Sequence, residues 1–427
     1  MGSHDFVSLA MFMYQKEVLL MQPESMQTIF ALIAIPWCIK PVFGYAVDQL
    51  IKKVRYTKLI ILFSQIVRMS TLTLVTHYDF PWWQFYLIVF VNSLCSLFEN
   101  IISEYILVKS SKKENEKKGG GNANHLPIFF GFRSVGALVG NFFGGRVVHY
   151  YSIKTAFFIA SFFPIIVIVA ALFYREIPLT PMSNTSSFMA ELAIMKQLLF
   201  RNKVLQMMLF VCMINMTPSF DVISTFYMTD RLKFTTEDLA NFSTISTIAY
   251  IIGLASYSFW LKDIEPKKFF VSTNFVLWVI NVSFLLVVTE TLTHWGVSNK
   301  LFCILNQGVY SFVAEINSMP VLAIWCAICP KNLEATSITL FTGLSNLSGN
   351  LSSYLGVFIM WLTNIHKENL NRLWVLIVIQ NVYLLIAITA IIFVKFPNPQ
   401  EMEAEAEMGE LKQISKPEED TQLENFK

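Results

Sequence analysis

Charge is scarce in this chain. Asp, Glu, Lys and Arg make up 15% of its 427 residues, against about a quarter in an ordinary soluble domain. A string of soluble domains, the usual reading of such a length, is thereby excluded. Cysteine is scarce as well. The six present (Cys38, Cys95, Cys212, Cys303, Cys326 and Cys329) fall in or beside apolar runs, which argues against a disulfide framework. Cys326 and Cys329 have the spacing of a redox or metal pair, but no second pair or His cluster accompanies them, so they read as small membrane residues. A basic patch for nucleic acid is missing, and no basic n-region, cleavage site or transit segment precedes the first apolar run. With no nucleophile–His–acid set, phosphate loop or ligand cluster, no enzyme activity, metal or cofactor is expected.

What the chain does have is apolar mass. Hydrophobic residues make up 54%, Phe alone numbers 38, and the mean hydropathy is +0.52. A helix needs roughly 20 apolar residues to cross about 30 Å of hydrocarbon. Eleven such runs lie near 26–47, 58–76, 82–108, 127–148, 155–174, 204–227, 239–260, 268–288, 300–327, 336–361 and 372–394, with a shorter twelfth at Phe6–Tyr14. The expected fold is therefore all-α and polytopic in a lipid bilayer. Lys and Arg concentrate in alternate connections (Lys52, Lys53 and Arg55, then Lys109–Lys118, then Lys262–Lys268). By the positive-inside rule these connections and both termini face the cytoplasm, and the plasma membrane is the expected location. The tail 397–427 is acidic and expected to be disordered.

The sequence also repeats. Phe12–Glu24 aligns with Phe226–Asp238, each a helix end, a polar loop and a helix start. Asn92, Ser96, Glu99 and Ser103 form a polar stripe matched by Gln307, Ser311, Glu315 and Ser318. Arg133 followed by Gly136, Gly140 and Gly144 is answered by Asn346 followed by Gly349, Ser353 and Gly356. In register, these pairs predict two six-helix halves in parallel repeat, 1–174 and 204–396, joined by a cytoplasmic linker 175–203. The repeat leaves the first helix short. About 13 residues span only about 20 Å, so either this helix starts partway through the membrane or the given N-terminus is incomplete.

Ionisable residues inside apolar runs are functional candidates by default. Here they are Lys40, Arg68, Glu99, Glu104, Arg133, Asp221 and Glu315, and structural ion pairing is the competing reading for each. The spacing Gly136-x-x-x-Gly140-x-x-x-Gly144 suits close helix packing. Pro36 and Pro41 break the second helix twice, which frees carbonyls where a helix lines a cavity or bends.

Longer strings carry a resemblance. Gly44–Asp48 followed by Lys52, Lys53 and Arg55 resembles the loop signature of the major facilitator superfamily. Pro36–Asp48 is similar to the PW-x-x-KP-x-x-G-x-x-x-D element of the folate–biopterin transporter family, and Cys329–Thr336 to its CP-x-x-xEAT loop, with Gly343–Gly349 following. Thr217-Pro-Ser with Asp221 and Phe226-Tyr resembles that family's seventh helix, and Phe132–Gly136 with Gly144-Gly145 its fifth. The likeness covers about residues 12–395. It implies a carrier of folates, pterins or S-adenosylmethionine, often coupled to protons, working by alternating access. It also implies that Asp48, with Lys52 and Arg55, and Glu334 beside Lys331 act as cytoplasmic gates. Composition alone would equally permit a sugar or amino-acid carrier, and a non-transporting receptor or scaffold of the same family is a second class.

Folate chemistry assigns roles to the intramembrane residues. An anionic tail wants Lys40 or Arg133, and neighbouring N–H donors of a pterin ring suit one carboxylate, Asp221 or Glu315, in a bidentate pair. Asn346 completes the expected substrate set. For proton coupling the candidates are Glu315 and Glu99, because burial disfavours a carboxylate's charged form. Glu315 is preferred, since no cation is expected beside it, whereas Glu99 shares its half with Lys40, Arg68 and Arg133.

Overall fold

The computed structural model describes residues 2–54, 57–118, 125–173, 199–261, 264–328 and 334–394, with the isolated positions 193, 196 and 197. The described residues are helical almost throughout and contain no strand, as lipid requires of a chain that must satisfy its backbone within each segment. The protein is an all-α polytopic membrane protein. In chain order the passes are α1 (Gly2–Met13), α2 (in pieces, Pro23–Ile33, Ile35–Cys38 and Lys40–Val54), α3 (Thr57–His77) and α4 (Trp82–Lys118). Then come α5 (His125–Tyr150), α6 (Ile153–Ala160 and Phe163–Phe173), α7 (Asn202–Asn215 and Asp221–Phe226) and α8 (Thr236–Ser256). Last are α9 (Pro266–Ser283 and Leu285–Val288), α10 (Asn299–Ile328), α11 (Glu334–Thr363) and α12 (Leu373–Thr389). Most of the expected linker and all of the acidic tail lie outside the described residues.

Among the described residues, six stretches are individually long and apolar enough to cross a membrane: Lys58–His77, Trp82–Ile106, Ile153–Phe173, Thr236–Leu261, Lys267–Val288 and Lys367–Thr389. The sequence suggests eleven. The breaks in α2 and α7 leave pieces shorter than the roughly 17 residues a span needs, while α5, α10 and α11 carry Gly, Ser, Asn or Gln along one face.

The repeat survives in backbone detail, shifted by one residue from the sequence alignment. α1 ends in a π-helical turn, Tyr14–Val18, and α7 in another, Tyr227–Arg231. Leu19 N–H donates to the Tyr14 carbonyl (2.9 Å) and Leu232 N–H to that of Tyr227 (3.2 Å). Met21 then reaches Gln15 O (3.1 Å) as Phe234 reaches Met228 O (3.0 Å). Both turns leave through a left-handed residue, Leu20 (φ 51°) and Lys233 (φ 56°). Tyr14 therefore corresponds to Tyr227. The Phe12–Phe226 alignment is one residue out because it matches the two Phe residues rather than the two Tyr residues that open the turns. The end of the bundle that carries these turns is called the turn end below, and the opposite one the basic end.

Proline chemistry explains the breaks. Pro41 has no N–H to offer the Trp37 carbonyl, and Asn346 Nδ2 of α11 supplies the missing donor at 3.3 Å. One helical turn along, Asn350 Nδ2 donates to Ala31 O (2.9 Å), and Ser93 Oγ of α4 donates to Ile33 O (3.2 Å). In α7, Pro218 marks the break. Ser219 N–H is taken up by Ser352 O of α11 (3.2 Å), and Gln27 Nε2 of α2 donates to Ser219 O (2.8 Å) and Ser353 O (2.9 Å).

Glycines set the closest approaches. α1 lies on the stripe Gly136, Gly140 and Gly144 of α5, and a Cβ on Gly140 or Gly144 would meet the backbone of Gly2 or Phe6. The next residue, Gly145, is where α5 meets Ala240 of α8. Without a hydrophobic driving force between helices in lipid, such small-residue contacts are what packing has to work with.

Candidate functional site

A cavity of about 980 Å³ lies between the two sets of six passes, lined by Lys40, Glu104 and Arg133 from α2, α4 and α5 and by residues of α7 to α12. That volume is at the upper end of the about 300–1,000 Å³ usual for ligand sites. The wall is amphipathic. Trp37, Phe220, Phe242, Phe270, Phe284 and Trp325 supply flat apolar faces, and Asn215, Asn274, Asn281, Asn306, Gln307, Asn317 and Gln380 supply amides. Most amides are already engaged: Asn274 Nδ2 donates to Asn317 Oδ1 (3.1 Å), Asn306 Nδ2 to Ser283 Oγ (2.5 Å) and Asn215 Nδ2 to Ser345 Oγ (2.8 Å).

The cations expected to hold an anionic group differ sharply. Lys40 is 2% exposed, and its ammonium donates to Asn100 Oδ1 (2.8 Å) and to both oxygens of Glu104 (2.9 and 2.7 Å). An ammonium has three donors, and all three are spent. Arg133 lines the same cavity and makes no hydrogen bond or ion pair with any described residue. Its five N–H donors remain available.

The acids differ too. Asp221, at the start of the second piece of α7, is exposed on the cavity wall and accepts from Ser219 Oγ (2.9 Å). Glu315 is 5% exposed, with Oε1 buried and unpartnered, and it stands behind the wall rather than in it. Glu99 is away from the cavity. It accepts from Arg68 Nη1 (2.7 Å), while Arg68 Nη2 donates to Ser3 Oγ (2.8 Å), so this pair ties α3, α4 and α1 together. Asn346 lines the cavity, but its amide N–H is turned to the break in α2. The side chains of Asp48, Lys52 and Glu334, and Arg55 altogether, lie outside the described residues.

Sequence reasoning missed the turn-end contacts. Lys16 Nζ meets Asp230 Oδ1 at 2.5 Å, also donates to Thr229 Oγ1, and sits 4.9 Å from the centroid of the Phe226 ring. Phe12 packs edge-on against Phe226, with ring centroids 5.9 Å apart. Between α5 and α8, Asn141 Nδ2 donates to Thr247 Oγ1 (3.0 Å), Arg146 Nη2 donates to Asn241 Oδ1 (3.3 Å), and His149 Nδ1 lies 2.8 Å from Thr236 Oγ1. These contacts tie the two sets of passes together at the turn end. A signal was available: Lys16 and Asp230 are opposite charges within the two repeated helix ends, one on each side of the repeat.

Over residues 1–413 the chain matches the BT1 family. It is 24% identical to Folate transporter 1 of Plasmodium falciparum (isolate 3D7) over 84% of this chain and 70% of that one. It is 21% identical to the Folate-biopterin transporter of Synechocystis sp. (strain ATCC 27184 / PCC 6803 / Kazusa) over 92% of this chain and 79% of that one. Among solved structures, the nucleoside transporter NupG (D323A mutant) superposes with a TM-score of 0.65 at 14% identity, covering 92% of this chain and 95% of that one. The POT family transporter PepTSo does so with 0.59 at 11%, covering 93% and 97%. These likenesses show the fold, that of the major facilitator type.

Proposed function

The chain belongs to the BT1 family and is a membrane transporter rather than an enzyme, and from that premise we propose that it carries folates or pterins across its membrane by alternating access, coupled to protons. The observation that carries the substrate reading is the pairing of one uncommitted cation with one wall-exposed acid. Arg133 can grip a carboxylate with two parallel hydrogen bonds, and Asp221 can accept neighbouring ring N–H groups in the same manner. The aromatic wall suits a flat heterocycle. Lys40, its three donors taken by Asn100 and Glu104, serves the architecture of that wall.

Glu315 is the proton carrier in this reading. A buried carboxylate without a cation is severely penalised as an ion, which suits such an acid to loading and releasing a proton. The turn-end contacts support a conformation closed there, and the distribution of Lys and Arg makes that end the extracellular one, with both termini in the cytoplasm. We assign the protein to the plasma membrane. Asp48, Lys52, Arg55 and Glu334 are the gate expected at the basic end.

Uptake of labelled folate, pterin and S-adenosylmethionine into vesicles holding the purified protein tests the reading. Saturable, pH-driven accumulation of folate or pterin is expected, and each should compete with the other. Accumulation of S-adenosylmethionine alone would transfer the cavity to a different member of the same chemistry. Labelling of a cysteine placed at Gly120 from the extracellular face would overturn the orientation.

A further inference from the structure

Glu315 has no direct opening to the cavity, so its proton needs a route. On the α8 side, Gly253 packs on the acid's stem, and a Cβ there would stand 3.2 Å from the Glu315 Cβ. Farther along the same seam, Ser246 Oγ lies 2.8 Å from Ser311 Oγ. Tyr250, three residues before Gly253 and so on the same helix face, lines the cavity wall, and its hydroxyl approaches the Glu315 carboxylate. On the α9 side Thr273 and Asn274 are turned to Asn317, and Lys267 and Lys268, at the helix start, are engaged with Val394 O and Glu265. Arg133 of α5 acts electrostatically on Tyr250, and Asp221 of α7 on Tyr310 of α10. Tyr250 thus lines the cavity from the face of α8 that packs on the stem of Glu315.

We propose that Tyr250 is the positioning residue through which Glu315 exchanges its proton with the cavity. In loading, the Tyr250 O–H bond breaks as a new O–H bond forms on the ionised carboxylate, while the phenol oxygen takes a proton from a hydronium in the cavity. The phenol ends as it began, the hydronium is left as water, and Glu315 is neutral. Unloading runs the same transfers in reverse. Gly253 has a supporting part, because the lack of a Cβ lets the acid's stem nest close enough for the hydroxyl to reach it. The inference rests on the proton-coupled reading above.

The test uses the full-length protein in vesicles, with Tyr250→Phe and Glu315→Gln measured side by side. Proton-driven uptake under an imposed pH gradient is one readout, and substrate counterflow without a gradient is the other. Tyr250→Phe keeps the ring and removes only the hydroxyl. It should slow proton-driven uptake by roughly a hundredfold, the lower range of what positioned proton transfer contributes, and flatten its pH profile, a loss far larger than any change in counterflow. Glu315→Gln should abolish accumulation and likewise spare counterflow. Proton-driven uptake intact in Tyr250→Phe but lost in Glu315→Gln would overturn the relay and leave the coupling reading standing. Wild-type pH dependence in both variants would overturn the coupling reading and the relay with it. Loss of counterflow in Tyr250→Phe would make Tyr250 a substrate contact and also overturn the relay.

Discussion

The passes α1–α6 and α7–α12 solve the problem of polar groups in lipid in opposite ways. The first six spend charge on charge: Lys40 with Glu104, Arg68 with Glu99. In their interior the last six use neutral amides and hydroxyls that satisfy one another, such as Asn274 with Asn317. Among the described residues they leave the acids Asp221 and Glu315 without a cation, whereas Asp238 at the turn end takes Lys300. Both cations of the cavity, Lys40 and Arg133, come from the first set. One set therefore presents a rigid, pre-wired wall with a single open guanidinium. The other presents a wall whose charge state can change, because a lone acid gains or loses a proton at far lower cost than a member of an ion pair.

The sharpest way to break this comparison is to unwire the first wall. Lys40→Met leaves Glu104 as an uncompensated charge, a change that costs about 3–5 kcal/mol where the partner stays buried. Glu104 is 16% exposed, which places the expected loss at the lower end. The double variant Lys40→Met with Glu104→Gln should recover most of the thermal stability of the detergent-solubilised protein. A double variant as unstable as the single would mean that the pair is not the unit that holds α2 to α4.

Next in size is Arg133. Arg133→Ala should weaken binding of an anionic substrate by about 2 kcal/mol or more, the cost of truncating one partner of a buried charge pair. Arg133→Lys should fall between, since it keeps the charge and loses the planar fork. Thermal stability should hardly change, because Arg133 has no described partner to abandon. A stability loss like that of Lys40→Met with binding intact would move Arg133 to the wired set and erase the distinction between the two cations.

Much of this distinction was beyond the sequence, for identifiable reasons. The apolar runs, the double break at Pro36 and Pro41 and the glycine stripe of α5 are local patterns, and local patterns are legible. Which acid pairs with which cation is not local. Glu104 could be paired with Arg133 on paper, whereas the fold gives it to Lys40. Glu315 looks like a cavity residue because it sits on a polar stripe, yet the stripe divides: Gln307 and Ser318 line the cavity, while Ser311 and Glu315 pack on α8. The donors that cover the freed carbonyls of α2, Asn346 and Asn350, come from the other end of the chain, and no pattern within α2 announces them.

Those two amides are a third test. Asn350→Leu removes the donor to Ala31 O, and a buried carbonyl left unpaired costs about 1–3 kcal/mol. Because the bond runs between α11 and α2, the loss should appear in the population of conformers as well as in stability. The distance between spin labels on α2 and α11 should broaden in Asn350→Leu relative to wild type. A distribution as narrow as the wild type's would show that α2 holds its break without help from α11.

The smallest expected effect is at the turn end, where the Lys16–Asp230 ion pair ties the two sets. Lys16 and Asp230 have side chains 12% and 29% exposed, so water screens part of their attraction and the pair is worth about 0.2–1 kcal/mol. The Phe226 ring adds to it on the Lys16 side, while Thr229 accepts from Lys16 and donates to Asp230 (3.1 Å). Lys16→Gln should therefore shift the balance toward opening at the turn end by no more than about fivefold, since 1.4 kcal/mol corresponds to a factor of ten. The readout is the rate at which a cysteine in place of Ser224, on the cavity wall, reacts with a membrane-impermeant thiol reagent added from the turn side. The reaction should quicken in Lys16→Gln, and raised salt should quicken it in the wild type, because screening weakens the same pair. The charge-swapped variant Lys16→Asp with Asp230→Lys should return partway. It cannot return fully, because the Phe226 ring would then face a carboxylate where it now faces an ammonium. Unchanged reactivity in all three would mean that the turn end is held by Gln27 and the α5–α8 contacts, with the ion pair a passenger on them.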